Sequence, residues 1–447
     1  MSNREARPLQ YAPRLRRAAA ALVALALTTS VAVAQECTKY VSEAGSGRQA
    51  SAERPARDLG NIVSDLQAGD VVCITGGTYT GRADNGATLI EIPVEIYGGY
   101  SPDFSSRDPW GAHRTVFTGV HNSANFSTDY LLTIDTSAFA TRLMAARGEE
   151  TVHTVVVDGI IFDSGDRNYY AGNDQSRIIR LGTPQHTPTP ESGGLRIRTG
   201  ITSTVVVRNV VVVNTAPTQG AISLYPGAAA QVTVTNNVAV NNTGAGFHLA
   251  AAIAANDSAD MPSYDFSNNV SVFNEKHDAF GTFGGSSLIL ESGTKVSMTN
   301  NVFAYNDNYG IDNAKRADDL IIVGNVIAGN AQADYLEFNT KMSLRDFEDW
   351  AEYVAEPWDN VALDLAFDIS PQWGALYASR NVIDRNAAEA EVQVVDAWYN
   401  HVRSFFGWNL IGTDLSVDSN IWLPRMSLDD AFAVAVLVDG QYGVTWP

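Results

Sequence analysis

The sequence predicts an all-β, single-stranded right-handed parallel β-helix, a solenoid of stacked strand-turn coils. Three observations carry this: a recurring asparagine phrase, a short β-rich segment before each phrase, and an amphipathic segment placed to cover the first coil. The phrase is an Asn followed by Val, with a second Asn five positions after the first. It occurs as Asn209-Val210 with Asn214, Asn237-Val238 with Asn242, and Asn269-Val270 with Asn274. It returns as Asn301-Val302 with Asn306, Asn325-Val326 with Asn330, and Asn381-Val382 with Asn386. Successive starts lie 28, 32, 32, 24 and 56 residues apart, so the last gap holds two coils or one coil with an insertion.

Each phrase follows a short alternation such as Val232-Thr233-Val234 or Val296-Ser297-Met298, read as a strand with i and i+2 facing inward. Asn tolerates left-handed backbone and turns the chain at each corner. One coil cannot bury its apolar face alone. Stacking supplies a continuous core, a backbone ladder and Asn-to-Asn hydrogen bonds, with right-handed connections expected.

Taken in order, the chain opens with a signal peptide over residues 1–34. Arg14, Arg16 and Arg17 form a basic region, Ala18 to Thr28 an apolar stretch, and Ala32-Val33-Ala34 a cleavage site. Arg16-Arg17 leaves twin-arginine export as an alternative. The β-helix domain then occupies 35–447, with the N-terminal cap and first coils at 35–110. Cys37 and Cys73 are the only cysteines, and in an oxidising compartment they pair most simply as one disulfide; two buried free thiols are the alternative. Leu59, Ile62, Val63 and Leu66 recur at helical spacing and predict an amphipathic capping helix, ended by Gly69-Asp70 before a strand at Val71. Pro184 to Gly194 reads as an exposed loop. Leu344, Phe347, Trp350, Ala351 and Val354 predict a short helix near 343–356, inside an insertion at 343–375. Trp422 and Trp446 are assigned to a C-terminal cap at 410–447. No membrane span is expected, because no apolar run approaches the length a bilayer needs.

The opening resembles that of pectate-lyase-like right-handed β-helix proteins. The residues that carry the likeness are Lys39-Tyr40-Val41-Ser42 with Gly45 and Gly47, then Gly69-Asp70-Val71-Val72 through Gly76-Gly77-Thr78-Tyr79. Ile96-Tyr97-Gly98-Gly99-Tyr100, followed by Asp103 to Pro109, is similar to a variant in bacterial surface β-helix proteins. The resemblance implies the fold, and the signal peptide implies an exported protein, extracellular, periplasmic or at a bacterial cell surface. Activity does not follow, since this superfold carries lyases, hydrolases, epimerases and inert surface proteins.

The net charge is −20, and removal of residues 1–34, with five Arg and one Glu, leaves −24. Such a field repels nucleic acid and anionic membranes and opposes polyanionic glycans unless a cation or a basic patch intervenes. Solubility in a salty habitat explains the charge equally well. Four of the five lysines fall between positions 276 and 341.

Aligning coils on their Asn pairs places Lys276, His277, Tyr309 and Asp312 in neighbouring rungs about 4.8 Å apart, with His248 one coil earlier and Lys315 and Arg316 just beyond. The lyases of the resembled superfold remove a uronate C5 proton with a base and neutralise the carboxylate with a cation or Ca2+. By that resemblance Lys276 or His277 is the candidate base, Lys315 or Arg316 the neutraliser and Tyr309 the acid. His248, Asp312, Trp350 and Trp373 are candidate substrate contacts, the tryptophans by stacking on sugar rings. Asp257, Asp260 and Asp265 offer oxygen ligands of the kind Ca2+ takes. The competing reading of Lys276 is a solvated corner where it answers Glu275 and Asp278. Departures from the resembled families include the missing Arg-His-Gly-Asn signature of alginate lyases and the missing Asp-Asp-Gly stretch of lysine-based pectate lyases.

Two functions are therefore expected to compete. One is a polysaccharide-directed protein, a β-eliminating lyase on a uronate-containing glycan. The other is a non-catalytic surface or matrix protein that binds glycans or cell-surface partners. An extracellular polysaccharide is the expected partner, and a monomer the expected state.

Overall fold

Three parallel sheets run along the stack, and the chain visits them in rotation through eight coils of described strands. The computed structural model describes residues 36–83, 86–120, 130–147, 152–165, 193–217, 219–242, 244–252, 260–274, 285–306, 308–317, 319–330, 332–351, 360, 426–436 and 443–445. The chain divides into Met1–Glu36 and Cys37–Pro447, and every element below belongs to the second unit. The expected parallel β-helix is what the chain forms.

The first sheet stacks Val71–Thr75, Glu95–Tyr100, His153–Asp158, Ser203–Arg208, Gln231–Thr235, Ser263–Ser267, Lys295–Thr299 and Asp319–Val323, with Lys39–Val41 added at its N-terminal edge. The second contains Ile160–Asp163, Val211–Val213, Val238–Val240, Val270–Val272, Val302–Ala304 and Val326–Ala328 among its strands. The third runs through Leu132–Asp135, Leu195–Arg198, Gly220–Tyr225, Ala245–Leu249, Leu288–Leu290, Tyr309–Asn313 and Ala333–Glu337. It ends in an antiparallel hairpin with Thr340–Met342.

In-register pairing stacks like on like: Val232 on Tyr264 on Val296, and Val234 on Phe266 on Met298. These side chains, with Phe247, Phe303 and Leu288, are buried in one continuous core. Phe266 bridges the layers, its ring 5.0 Å from Phe247 and 6.0 Å from Phe303.

Each asparagine corner divides its work between two adjacent residues. The first takes the left-handed backbone: Asn236, Asn268 and Asn300 have φ of 59°, 55° and 55°, and Gly159 and Gly324 stand there in other coils. The second sends its amide along the stack. Nδ2 of Asn237 donates to Asn269 Oδ1 (2.9 Å), Asn269 to Asn301 (3.0 Å), Asn301 to Asn325 (2.8 Å) and Asn325 to Asn360 (3.1 Å). Asn269 also donates to the Val234 carbonyl, and its Oδ1 accepts the Asn237 backbone N–H, so both amide hydrogens and both lone pairs are used. A second ladder runs Asn242, Asn274, Asn306, Asn330. Asn241, Phe273, Tyr305 and Gly329 are its left-handed partners.

The register corrects the first expected pair. Val211 pairs with Val238, so Asn209 and Asn214 occupy left-handed places, with φ of 54° and 59°. Val210 and Thr215 begin the ladders, each donating its backbone N–H to the next coil's amide at 3.0 Å. Asn suits both jobs, which is why a sequence pattern slips by one here. Asn360 continues the first ladder 35 residues after Asn325, inside the long gap. Asn381 and Asn386 lie outside the described residues, as do 184–192 of the expected loop, Trp358, Trp422 and Trp446.

At the N-terminal end the apolar spacing is realised in a tighter form than an α-helix. Leu59–Asn61 and Val63–Asp65 are two 3-10 turns, the first capped by Asp58, which accepts the Gly60 N–H at 2.8 Å. Leu59 and Ile62, three apart, both face the core, as a three-residue repeat requires. Cys37 and Cys73 form a disulfide with Cα atoms 5.8 Å apart, which fastens the entering chain to the strand Val71–Thr75. At the other end, helix Leu344–Ala351 realises the expected insertion helix. Ser343 caps it by accepting the Asp346 N–H, while Phe347 stacks on Tyr335 at a centroid distance of 4.2 Å and closes the core.

The outer face of the second sheet is apolar as well. Val211, Val238, Val270 and Val302 alternate with core residues yet are fully buried. Gly443 lies against Val270 and Val302, and Trp110 meets Phe432 of helix Leu428–Val436 at 5.6 Å. The described C-terminal residues thus flank the coils. Met426 exchanges two hydrogen bonds with the side-chain amide of Asn214, and Thr445 two with that of Asn236. No helix among the described residues is long and apolar enough to cross a membrane.

Candidate functional site

The outer face of the third sheet gathers the polar chemistry. Alternation along its strands turns Leu224, Leu249, Leu290 and Ile311 inward and leaves their neighbours on the outside. In-register pairing then aligns Arg196, Ser223, His248, Ile289 and Asp312 in one outward row. Tyr225 ends its strand, while Glu291 and Lys315 begin the corners that follow theirs.

His248 is the centre of this row. Only 2 % of it is exposed, although it faces away from the core. Nδ1 lies 3.1 Å from the Tyr225 hydroxyl, and Nε2 lies 3.0 Å from Glu291 Oε1. Lys315 Nζ donates to the same Oε1 at 2.6 Å. The Tyr225 hydroxyl also donates to the side-chain oxygen of Gln219. Burial alone would raise the Glu291 pKa, but the hydrogen bonds and charges of His248 and Lys315 outweigh it and hold the carboxyl down at about 2.

One rung on, Asp312 behaves oppositely. Burial pushes its carboxyl above the usual aspartate range; the Ala314 N–H at 3.1 Å and the charge of Lys315 oppose that rise without cancelling it. The same face thus holds one carboxylate kept ionised and one carboxyl driven toward its protonated form. Such separation is how a site assigns one group to charge and another to proton transfer. Burial, and then the charge of Asp312, also raise Tyr309.

Lys315 and Arg316 are neighbours in sequence but serve different rungs. Arg316, with φ of 53°, sends Nε to Glu337 Oε1 at 3.0 Å, and Glu337 also accepts from Tyr335 and Asn313 at 2.8 Å. At the other end of the row, Ser223 Oγ lies 2.9 Å from the Tyr130 hydroxyl, and the Arg196 guanidinium lies 4.2 Å from the Tyr130 ring centroid.

Of the residues expected from sequence, the structure brings together His248, Asp312, Lys315 and, beside them, Tyr309. Arg316 points to the next rung. Lys276, His277, Asp257 and Trp373 lie outside the described residues, and Trp350 is described only as part of a helix. Asp265 is exposed on the outer face of the first sheet between Thr233 and Ser297, while Asp260 precedes it at the corner. Among the described residues no three His, Cys, Asp or Glu side chains are grouped to hold a metal ion. Tyr225 and Glu291 were not anticipated. Aligning the third-sheet strands, His248 on Ile289 on Asp312, would have found them.

No family model matches the sequence, and no curated protein matches it. Among solved structures, the chain is similar to the crystal structure of pectate lyase Pel9A, at 11 % identity and a TM-score of 0.33, over 69 % of this chain and 72 % of that one.

Proposed function

We propose that the protein is an exported, polysaccharide-directed β-helix protein whose site is the outer face of the third sheet, and that it cleaves a uronate-containing glycan by β-elimination. The observation that carries this reading is the hydrogen-bonded chain Tyr225–His248–Glu291–Lys315 beside a carboxyl, Asp312, shifted the other way. With Glu291 on Nε2, the imidazole presents Nδ1 to the Tyr225 phenol and can take its proton once the hydroxyl turns its hydrogen from Gln219 to Nδ1. The phenolate then removes the C5 proton of the uronate; the C–H electrons form the C4–C5 double bond, and the C4–O bond breaks toward the leaving sugar. The departing oxygen takes a proton from the site, and Tyr309 is placed in the reading as its donor. Asp312 in its protonated form hydrogen-bonds the uronate carboxylate as charge builds there.

The test is to incubate the protein with alginate, pectate and glycosaminoglycans, with and without Ca2+, and follow the absorbance of unsaturated uronate ends. Tyr225→Phe and His248→Ala should each lower the rate by about a hundredfold or more. Product formed at an unaltered rate by both would sink this site, and loss of activity in Lys276→Ala, His277→Ala instead would move it to that segment.

A second reading, glycan or cell-surface binding without turnover, draws on a different observation. Lys315 is engaged by Glu291 and Arg316 by Glu337, so both cations that follow Asp312 in sequence are already committed to carboxylates. Retained glycan binding with no product from any polymer would favour it.

A further inference from the structure

At the N-terminal end of the stack, far along the coils from His248, an open groove of about 890 Å³ lies between the entering chain and the first coil. Its rim gathers Arg48, Arg57 and Arg82, three arginines distant in sequence, together with Glu43, Asp58 and Asp65. The carboxylates already have donors. Glu43 accepts the Thr78 N–H at 3.3 Å, Asp58 the Gly60 N–H at 2.8 Å, and Asp65 the Ser64 hydroxyl at 3.4 Å. The three guanidiniums are exposed and, among the described residues, form no ion pair or side-chain hydrogen bond.

The walls are built from close backbone approaches that hold the groove open. A Cβ on Gly47 would stand 2.2 Å from the Arg54 carbonyl oxygen, and Gly81, with φ of +76°, turns the chain where no side chain fits. The stem of Arg82 lies against Gly60, where a Cβ would meet its Cβ at 3.3 Å, so its head group is carried on a fixed turn. Ser46, Ser64 and Thr80 add hydroxyls to the same lining.

In a chain of net charge −20, a hydroxyl-lined groove whose three carboxylates are matched by three arginines, none of them paired, is locally neutral where the rest of the surface is acidic. We propose that this groove is a separate binding site for an anionic saccharide, a sugar bearing carboxylate or sulfate groups. Guanidinium forks match both anions through paired N–H donors, and the hydroxyls suit a polyhydroxylated ring. The site does not depend on the third-sheet reading, and it offers unpaired guanidinium donors on a surface that otherwise repels an acidic polymer.

The test uses the full mature chain carrying Tyr225→Phe and His248→Ala, so that the third-sheet site cannot supply the signal. Calorimetric titration at low salt is run with a galacturonate trisaccharide, a sulfated disaccharide and neutral maltotriose. Binding of either anionic probe but not of maltotriose is expected, weakening as salt rises. Arg48→Ala, Arg57→Ala and Arg82→Ala combined should reduce that affinity by about tenfold or more, whereas Arg345→Ala, exposed on the helix Leu344–Ala351 at the other end of the stack, should leave it unchanged. Each single groove variant should weaken binding on its own, which keeps the test open if the triple variant unfolds. No binding of either anionic probe, or equal binding by the triple variant, would overturn the proposal.

Discussion

Arg107 grips Asp158 with both ends of its guanidinium, Nη1 at 3.0 Å from Oδ2 and Nη2 at 2.5 Å from Oδ1, across 51 residues of sequence. Arg208 holds the same carboxylate from the next coil at 2.6 Å, and Asn209 donates to it at 2.8 Å. The Asp158 side chain is 1 % exposed, while the arginines remain partly in water. Asp158→Ala should therefore destabilise the fold by about 3 kcal/mol, the low end for a broken buried pair. Arg208→Ala should cost well under half as much. Urea unfolding of both variants checks the order.

The Asp158 carboxyl also predicts an acid limit. Burial would raise its pKa, but Arg107, Arg208 and Asn209 together bring it below the ordinary value. A carboxyl depressed in the folded state stabilises the protein above its unfolded pKa, and that contribution is lost as pH falls through the folded one. Glu291, held at about 2, adds the same dependence between about 4.5 and 2. Melting curves of the protein and of Glu291→Gln from pH 6 downward should converge as pH falls.

Asp312 has the opposite sign. Its raised pKa means the folded protein binds a proton that the unfolded chain has released, so its contribution falls as pH rises past the unfolded value. Asp312→Asn should raise the melting temperature at neutral pH while lowering any elimination activity, the trade expected where a strained group serves function. A variant less stable than the parent at neutral pH would count against that role.

Adjacent asparagines should respond differently. Asn269→Ala leaves neighbouring backbone and amide groups in the buried ladder unsatisfied and should cost about 1–3 kcal/mol. Asn268→Gly, one residue earlier at φ of 55°, should be close to neutral, whereas Asn268→Val should cost about 1–2 kcal/mol in left-handed strain. Thermal denaturation of the three variants separates the two jobs.

Reduction of the Cys37–Cys73 bridge, which spans 36 residues, should lower stability by about 2–4 kcal/mol. A fall in melting temperature with dithiothreitol, absent in a Cys37→Ser, Cys73→Ser variant, is the expected result.

Much of the architecture was legible because it repeats. Asn237, Asn269, Asn301 and Asn325 announce the coils, and the strands before them alternate cleanly. The register of Asn209 was less legible, since one residue type performs two corner functions. The capping turns at Leu59 and Ile62 share their spacing with an α-helix, and only the backbone separates the two. For the site, His248, Asp312 and Lys315 were visible as chemically capable residues. Glu291 and Tyr225 were hidden because they sit just after and at the end of third-sheet strands, whose register the asparagine spacing does not report. The arginine groove had no sequence signature at all, because Arg48, Arg57 and Arg82 converge only when the entering chain folds over the first coil.

The hydrogen bonds from Met426 to Asn214 and from Thr445 to Asn236 join segments 212 and 209 residues apart. A ribosome or export channel delivers those two partners at very different times. Until residues 426–445 emerge, the valine flank of the second sheet has lost part of its cover and two corner amides have no tail to pair with. The coils can wind as they appear, but the solenoid is sealed retrospectively, and a chain stopped short of that seam would carry a sticky apolar strip along its side.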